Sequence, residues 1–269
     1  MKIISVVRNF EMYNRLVKNN KNNKGADFVA FDNNQENKYI SIRYNEFLNN
    51  YDYTKPDWFV FCHEDWEVLE DLQARLDKLD KNCLYGAIGV SLKVFWKFAR
   101  RTFLGEIKHS DKDGNNVLKI GNKIRKPKEV GTFDCQCLIV HSDLINKYKL
   151  RFDENLTWDL YVEDFCINAK ENFDISSKAL QLNCQHYSIG NLQDRYFQQL
   201  KYLKEKYKNA KNSYSNTISD ILISQKLKLI VFRFIGKEYK SFFYQSRITS
   251  SGKRLIKICK IPVYSRRVK

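Results

Sequence analysis

Residues 58–66 read Trp-Phe-Val-Phe-Cys-His-Glu-Asp-Trp (WFVFCHEDW). Five apolar residues in succession, with no polar alternation, are what a strand buried on both faces requires. The run then stops abruptly at His63, Glu64 and Asp65. In an open α/β sheet, ligands bind beyond the carboxyl ends of the strands. The switch from apolar to polar therefore marks a central strand and a candidate site together.

The flanking sequence repeats the pattern. Lys2–Arg8 (KIISVVR) is rich in β-branched residues and closes on Arg8-Asn9, and Asp27–Phe31 (DFVAF) closes on Asp32-Asn33-Asn34. Leu84–Val90 (LYGAIGV) reads as a fourth strand. Between these runs, Glu11–Asn19, Ser41–Asn49 and Val68–Leu79 read as helices, the last with Leu69, Leu72, Leu76 and Leu79 on one face. Strands alternating with helices predict βαβ units, hence an α/β fold with a mostly parallel sheet flanked by helices. Phe103–Val130 is polar and basic with a turn signal at Asp111–Gly114, which predicts a hairpin or a mobile loop. Beyond it, Phe133–His141 and Leu180–His186 read as strands, and Ser142–Tyr148, Tyr161–Glu171 and Leu192–Asn209 as helices.

The chain has 269 residues and a net charge of +16, unevenly spread. Gln225–Lys269 holds 13 Lys and Arg against one acid, Glu238, whereas the other 224 residues hold 34 basic and 30 acidic side chains. This shift predicts a catalytic-size domain over 1–214 and a basic, mainly helical, amphipathic extension over 215–269. Such a tail suits an anionic inner leaflet, or a packed helix pair with a solvated basic face. No helix-turn-helix, zinc-finger spacing or RNP-like motif supports nucleic acid as the partner. A hydrophobic fraction of 43% excludes a disordered polyelectrolyte. Seven cysteines, mostly inside apolar runs and without a CxxC pair, read as buried free thiols of a reducing compartment. Arg8 interrupts the first apolar stretch too early for a signal peptide, and no run reaches the length of a membrane span. A cytoplasmic protein, peripheral at the inner face of the cell membrane, is the expectation.

Several residue types at the strand ends can do chemistry, each with a plainer alternative. Asp32 and the His63-Glu64-Asp65 group either end strands in solvent or hold a phosphorylated ligand and its cation. Glu163 and Asp164 either complement the dipole of a helix start or serve as acid and base. His186 is either a satisfied structural residue or a ligand. Trp58, Trp66, Trp96 and Trp158 suit either the core or a sugar platform. No GxxxxGK[ST] or GxGxxG loop is present, which disfavours ATP-driven or dinucleotide chemistry.

Four pieces stand in a recognisable order: KIISVVRN, FVAFDNN, WFVFCHEDWEV, and RFDENLTWDLYVEDFCINAKENFDI followed by HYSIG. Through them the first 190 or so residues resemble GT-A-fold glycosyltransferases related to family 2, of the type that builds bacterial surface polysaccharides. The resemblance implies an inverting transfer from a nucleotide-sugar donor, UDP-linked, to a glycan or lipid-linked acceptor. It places Arg8, Asp32, Asn33 and His63 at the nucleotide-sugar donor, Glu64 at the ribose, and Asp65 on a divalent metal, Mn²⁺ or Mg²⁺, at the diphosphate. It makes Asp164 the general base with Glu163 beside it, and lends His186 to the metal or diphosphate. The departure is His63, which occupies the first position of the DXD motif. That substitution also admits a rival reading, a non-catalytic GT-A-like domain that binds glycan or nucleic acid.

Overall fold

The computed structural model describes residues 1–95, 98–188, 193–222, 244–248, 253–258 and 261–267. In chain order it contains β1 (Lys2–Val7), α1 (Phe10–Tyr13), β2 (Asp27–Asp32), α2 (Ile40–Asn50), β3 (Trp58–Cys62), β4 (Trp66–Val68) and α3 (Leu72–Leu76). Next come β5 (Leu84–Gly86), β6 (Gly89–Phe95), β7 (Phe98–His109), β8 (Leu118–Asn122), β9 (Lys128–Val130), β10 (Thr132–Phe133) and β11 (Cys137–His141). Then follow α4 (Ser142–Tyr148), α5 (Tyr161–Phe173), β12 (Ser177–Ala179), β13 (Cys184–His186), α6 (Asp194–Lys206), β14 (Tyr214–Ser215) and β15 (Asp220–Leu222).

The main sheet has the order β2-β1-β3-β11-β5-β12-β9. β1 pairs in parallel with both β2 and β3, so the three apolar runs read from the sequence lie side by side. β11 then enters antiparallel to β3, with Cys137 opposite Cys62. With β11 and the edge strand β9 reversed and the rest aligned, the sheet is mostly parallel and flanked by helices, as the alternation of strands and helices predicted. β3 is buried along its whole length. Its residues alternate between two hydrophobic layers, Phe59 and Phe61 on one face and Val60 and Cys62 on the other. Phe61 lies 4.7 Å from the Tyr44 ring of α2 and 5.2 Å from that of Phe152. Burying such a ring contributes about 1.5–3 kcal/mol, which is why this run sits centrally and the more exposed β2 sits at the edge.

A second sheet, β10-β6-β7-β13-β4 with β8 paired to β7, stands on the carboxyl-edge side of β3. Phe103–Val130 therefore forms a hairpin, as one of its two readings had it. Leu84–Val90 splits into β5 and β6, and the helix read over Val68–Leu79 shrinks to α3, because Trp66–Val68 is drawn into pairing with β13. Gly105 and Gly121 lie in the paired strands of the long hairpin at φ of +85° and +100°. A Cβ on Gly105 would sit 2.1 Å from the Ala87 carbonyl oxygen, so only glycine fits there.

The chain divides into compact units at Met1–Ile223 and Ser224–Lys269. The boundary falls after position 214 because the next residues belong to the first unit: Thr132 Oγ1 donates to the Ser215 carbonyl, 2.7 Å, and Asn216 is buried. In the second unit the described residues are strands, not helices. β16 (Tyr244–Ile248), β17 (Lys253–Ile258) and β18 (Ile261–Arg267) form an antiparallel sheet. The correction has a local cause, since Ile256, Ile258, Ile261 and Val263 are β-branched and favour extended backbone. The amphipathic stretch Leu227–Ile235 lies outside the described residues. Among the described residues no helix is long and apolar enough to cross a membrane, and their six cysteines are free thiols, five of them buried and Cys135 partly so.

Candidate active site

The ends of β1, β2 and β3 and the beginning of β11 share one edge of the main sheet. His63 leaves β3 with its N–H donated to the Gln136 carbonyl, 3.2 Å, which fixes residues 134–136 beside it. The Tyr187 N–H donates to the Asp65 carbonyl, 2.8 Å, and β13 lies parallel to β7 with His186 opposite His109. Backbone pairing thus gathers residues far apart in sequence.

His63, Asp65 and His186 place one ligand atom each within 4.8 Å of one another. His186 Nε2 is 3.0 Å from Asp65 Oδ1, and His63 Nδ1 is 3.9 Å from the same oxygen. Despite that proximity, Asp65 Oδ1 and His186 Nε2 make no well-aligned hydrogen bond and are fully buried. A cation bound between these two buried atoms and His63 would take the place of the proton on His186. The tautomer of His63 agrees. The Tyr161 hydroxyl spends its one proton on the Cys135 carbonyl, 2.9 Å, so His63 Nε2, 2.9 Å from that hydroxyl, must be the donor. Nδ1 is then left with its lone pair facing Asp65, as a ligating imidazole held by an outer partner requires. These residues fit a divalent cation, and their two nitrogens favour Mn²⁺ over Mg²⁺, which prefers an all-oxygen shell.

Burial alone would raise the Asp65 carboxyl, but the charge and proximity of His186, with His63 behind it, hold it at about 2. Burial pushes His63 down and keeps it neutral, while Asp65 outweighs burial at His186 and pushes it up. Behind His186, His109 Nδ1 stands 3.3 Å from His186 Nδ1 and 3.1 Å from the Ser188 carbonyl. His109 had no distinguishing context in the sequence; only the β7–β13 pairing reveals it. Ile189 and Gly190, the end of the HYSIG stretch, lie outside the described residues.

The other expected site residues divide. Arg8 is exposed, with its guanidinium 4.9 Å above the Trp158 ring and hydrogen-bonded to Asn37. Asp32 is exposed at the end of β2 and accepts from the Asn34 N–H, 2.9 Å. Both remain open to a ligand. Glu64 is not aimed outward in the same way: its Oε2 accepts the Arg8 and Asn9 N–H groups, 2.6 and 2.8 Å, and clamps the turn after β1. Asn33 is buried, donating to the Lys38 carbonyl, 2.8 Å, and serves the loop rather than a donor.

The acidic pair on α5 is buried. The helix starts after Leu160, a buried residue held at φ +61°, and this turn sends both carboxylates inward. Asp164 is 1% exposed and faces α6, its Oδ1 taken by Lys206 Nζ, 2.7 Å, and Tyr207 OH, 2.9 Å. A carboxylate so committed is a tertiary tie between helices. Glu163 is also buried, accepting from Cys135 Sγ and Asn216 Nδ2, each at 3.0 Å.

The acid that faces the cluster is Asp134, which no motif marked. It is half-buried and lines a cavity of about 420 Å³ together with His63, His109 and His186. Its charge acts on all three imidazoles. The hint available in the sequence was its place, directly before the β11 run.

Burial raises the Glu163 carboxyl from its ordinary 4.5 to about 7, against the two hydrogen bonds it accepts. A folded state that holds its proton more tightly than the unfolded one is stabilised at low pH. Stability from this group is thus full below about pH 4.5 and declines as pH rises through about 7. Glu163→Gln is expected to match the native melting temperature at pH 5 and exceed it at pH 8. Parallel melting curves across that range would show that Glu163 does not titrate in the folded protein.

No protein-family model matches the sequence, and no curated protein matches it. Among solved structures, a complex of GalNAc-T7 with UDP, GalNAc and Mn²⁺ is similar at 8% identity and a TM-score of 0.47, over 96% of this chain and 65% of that one. The S. aureus protein TarS is similar at 13% identity and a TM-score of 0.47, over 88% of this chain and 43% of that one. Its 1–349 fragment in complex with UDP gives 12% identity and a TM-score of 0.43, over 89% and 71%. The chain thus spans less than two thirds of the first two neighbours' own length.

Proposed function

We propose that this chain is a metal-assisted glycosyltransferase that moves a sugar from a nucleoside-diphosphate donor, UDP-linked, to a hydroxyl of a glycan or lipid-linked acceptor with inversion at the anomeric carbon. Synthesis of a bacterial surface polysaccharide is the setting that the motif order supports. The observation that carries the reading is the His63–Asp65–His186 donor set at the carboxyl edge of three parallel strands, beside a cavity that holds a carboxylate.

Arg8 and Asp32, at the ends of β1 and β2, are placed for the nucleotide, on one side of the cluster. Asp134, in the turn between β10 and β11, stands on the other side, where an acceptor would arrive. The acceptor oxygen forms its bond to the anomeric carbon as the bond from that carbon to the diphosphate oxygen breaks. The electron pair leaves with the nucleoside diphosphate, and the acceptor proton passes to the Asp134 carboxylate. When bound by His63, Asp65 and His186, the cation supplies Lewis-acid stabilisation of the charge on the leaving diphosphate.

The same pair of imidazoles with one carboxylate also binds iron in oxygenases. Arg8 and Asp32, both exposed at the carboxyl ends of the adjacent parallel strands β1 and β2, favour the transferase. The test is a thermal-shift screen of nucleotides and nucleotide-sugars with and without Mn²⁺, followed by assay of donor turnover. A nucleoside diphosphate at about 100 times its Kd should stabilise by about 2.7 kcal/mol, and more with Mn²⁺ than without. Stabilisation by Fe²⁺ alone, with no response to any nucleotide, would remove the transferase reading.

A further inference from the structure

A metal-bound imidazole gives one ring nitrogen to the cation, and the other is held by its surroundings. At His63 both are accounted for, with Nε2–H donated to the Tyr161 hydroxyl and Nδ1 turned to Asp65. At His186 the two nitrogens exchange roles. Its Nε2 stands 3.0 Å from Asp65 Oδ1, which makes Nε2 the ligating atom and Nδ1 the one to be held. What Nδ1 meets is another imidazole, His109 Nδ1 at 3.3 Å. His109 stands behind the donor set, not within it, and the reaction proposed above gives it no part.

Strand register puts His109 there. β7 and β13 run in parallel with His109 opposite His186 and Lys108 opposite Gln185. The next residue locks the pairing: the Ser110 N–H donates to the His186 carbonyl, 3.0 Å, and Gln185 Nε2 donates to Ser110 Oγ, 2.9 Å. The two imidazole rings lie 5.2 Å apart and nearly perpendicular, at 80°. His109 Nδ1 is also 3.1 Å from the Ser188 carbonyl. These two contacts make opposite demands. Toward the carbonyl, Nδ1 must carry a proton and donate it; toward a protonated His186 Nδ1, it must offer its lone pair and accept. The tautomer of His109 therefore records which of the two residues it serves.

On the metal centre at His63, Asp65 and His186, on which the proposed function also rests, we infer that His109 is the positioning residue of His186: as the Nε2–H tautomer it accepts the His186 Nδ1 proton, and this bond fixes the ring with Nε2 turned to the cation. A cation on Nε2 draws charge from the ring and makes its Nδ1–H a stronger donor, so the bond to His186 prevails over the one to Ser188. Tyr161 behind His63 and His109 behind His186 thus fix both imidazoles from the rear.

The test is a calorimetric titration of Mn²⁺ into the full chain and into His109→Leu and His109→Asn. Leucine fills the space but accepts no hydrogen bond, whereas asparagine keeps an acceptor oxygen close to the place of Nδ1. His109→Leu is expected to weaken Mn²⁺ binding by about 10–100-fold, and His109→Asn to recover most of that loss. Tighter binding by the Leu variant than by the Asn variant would mean that His109 only fills space. Circular dichroism checks that both variants fold, and nitrogen NMR of the labelled native chain reads the tautomers without any substitution. The chain has four histidines, so the signals are few. Zn²⁺, which takes the same ligand types and is diamagnetic, stands in for Mn²⁺ in those spectra. The Zn²⁺-loaded protein should carry a proton on His186 Nδ1 and on His109 Nε2. A loaded protein with its His109 proton on Nδ1, or native Mn²⁺ affinity in His109→Leu, would overturn the inference and leave the metal centre standing. A native chain that binds neither cation loses the metal centre as well.

Discussion

Asp65→Ala is expected to reduce donor turnover by roughly 10³-fold, since a metal that stabilises the leaving diphosphate is worth several kcal/mol and each 1.36 kcal/mol is a factor of ten. Asp65 is the only carboxylate in the donor set, and its charge is what offsets the burial of His186. Without it, two imidazoles remain for a cation that needs anionic oxygen, and Mn²⁺ affinity should fall in step with turnover. Titration of Mn²⁺ followed by calorimetry reads the affinity directly. A variant that turns over donor at the native rate with the native Mn²⁺ dependence would remove the metal centre from the mechanism. The fold should persist, because Asp65 lies at a strand end and its main-chain bond to Tyr187 does not depend on the side chain.

The second large effect separates two carboxylates. Asp134→Asn should lower kcat by about 10²–10⁴-fold, the contribution of a positioned general base, with little change in melting temperature because the group is half-exposed. Asp164→Asn should do the reverse. It weakens a buried tie to Lys206 and Tyr207, at a cost of about 1–3 kcal/mol, and leaves kcat within a few-fold. Lys206 keeps a second partner in Asp153, 2.6 Å away, which limits the loss. Kinetics and thermal melts on the two variants decide the matter. If Asp164→Asn loses kcat at an unchanged melting temperature while Asp134→Asn retains it, the base is Asp164, as the motif resemblance had it.

Periodicity in this chain was informative where burial is two-sided. The runs that became β1 and β3 are apolar because both faces are buried, the β2 run is an exposed edge strand, and their polar ends, Arg8, Asp32 and His63–Asp65, share one edge of the sheet. Local pattern was less informative where pairing overrides it. Trp66–Val68 adjoins a helical period but is captured by β13. The tail reads as amphipathic helix, yet its described residues pair as strands. Motif order drew attention to His186 and Asp65, which the structure brings together with His63, and to Asp164, which it buries against α6, because a motif gives the position of an acid along the chain and not the direction of its side chain. The left-handed turn at Leu160 turns Asp164 toward α6.

By itself, then, the sequence determined the parallel strand edge and the residue types gathered on it, since both follow from which segments can leave water. It located the +12 of the last 45 residues apart from the nearly balanced body, which directed attention to acids and a metal for the site. Only the tertiary structure decided which of those residues face one another. The union of His63, Asp65, His186 and His109, the exposure of Asp134 to the cavity, and the occupation of Asp164 by Lys206 all depend on strand and helix contacts between segments tens of residues apart. Such contacts are set by the register of backbone hydrogen bonds and by the packing of both layers, and neither is encoded in any short stretch of chain.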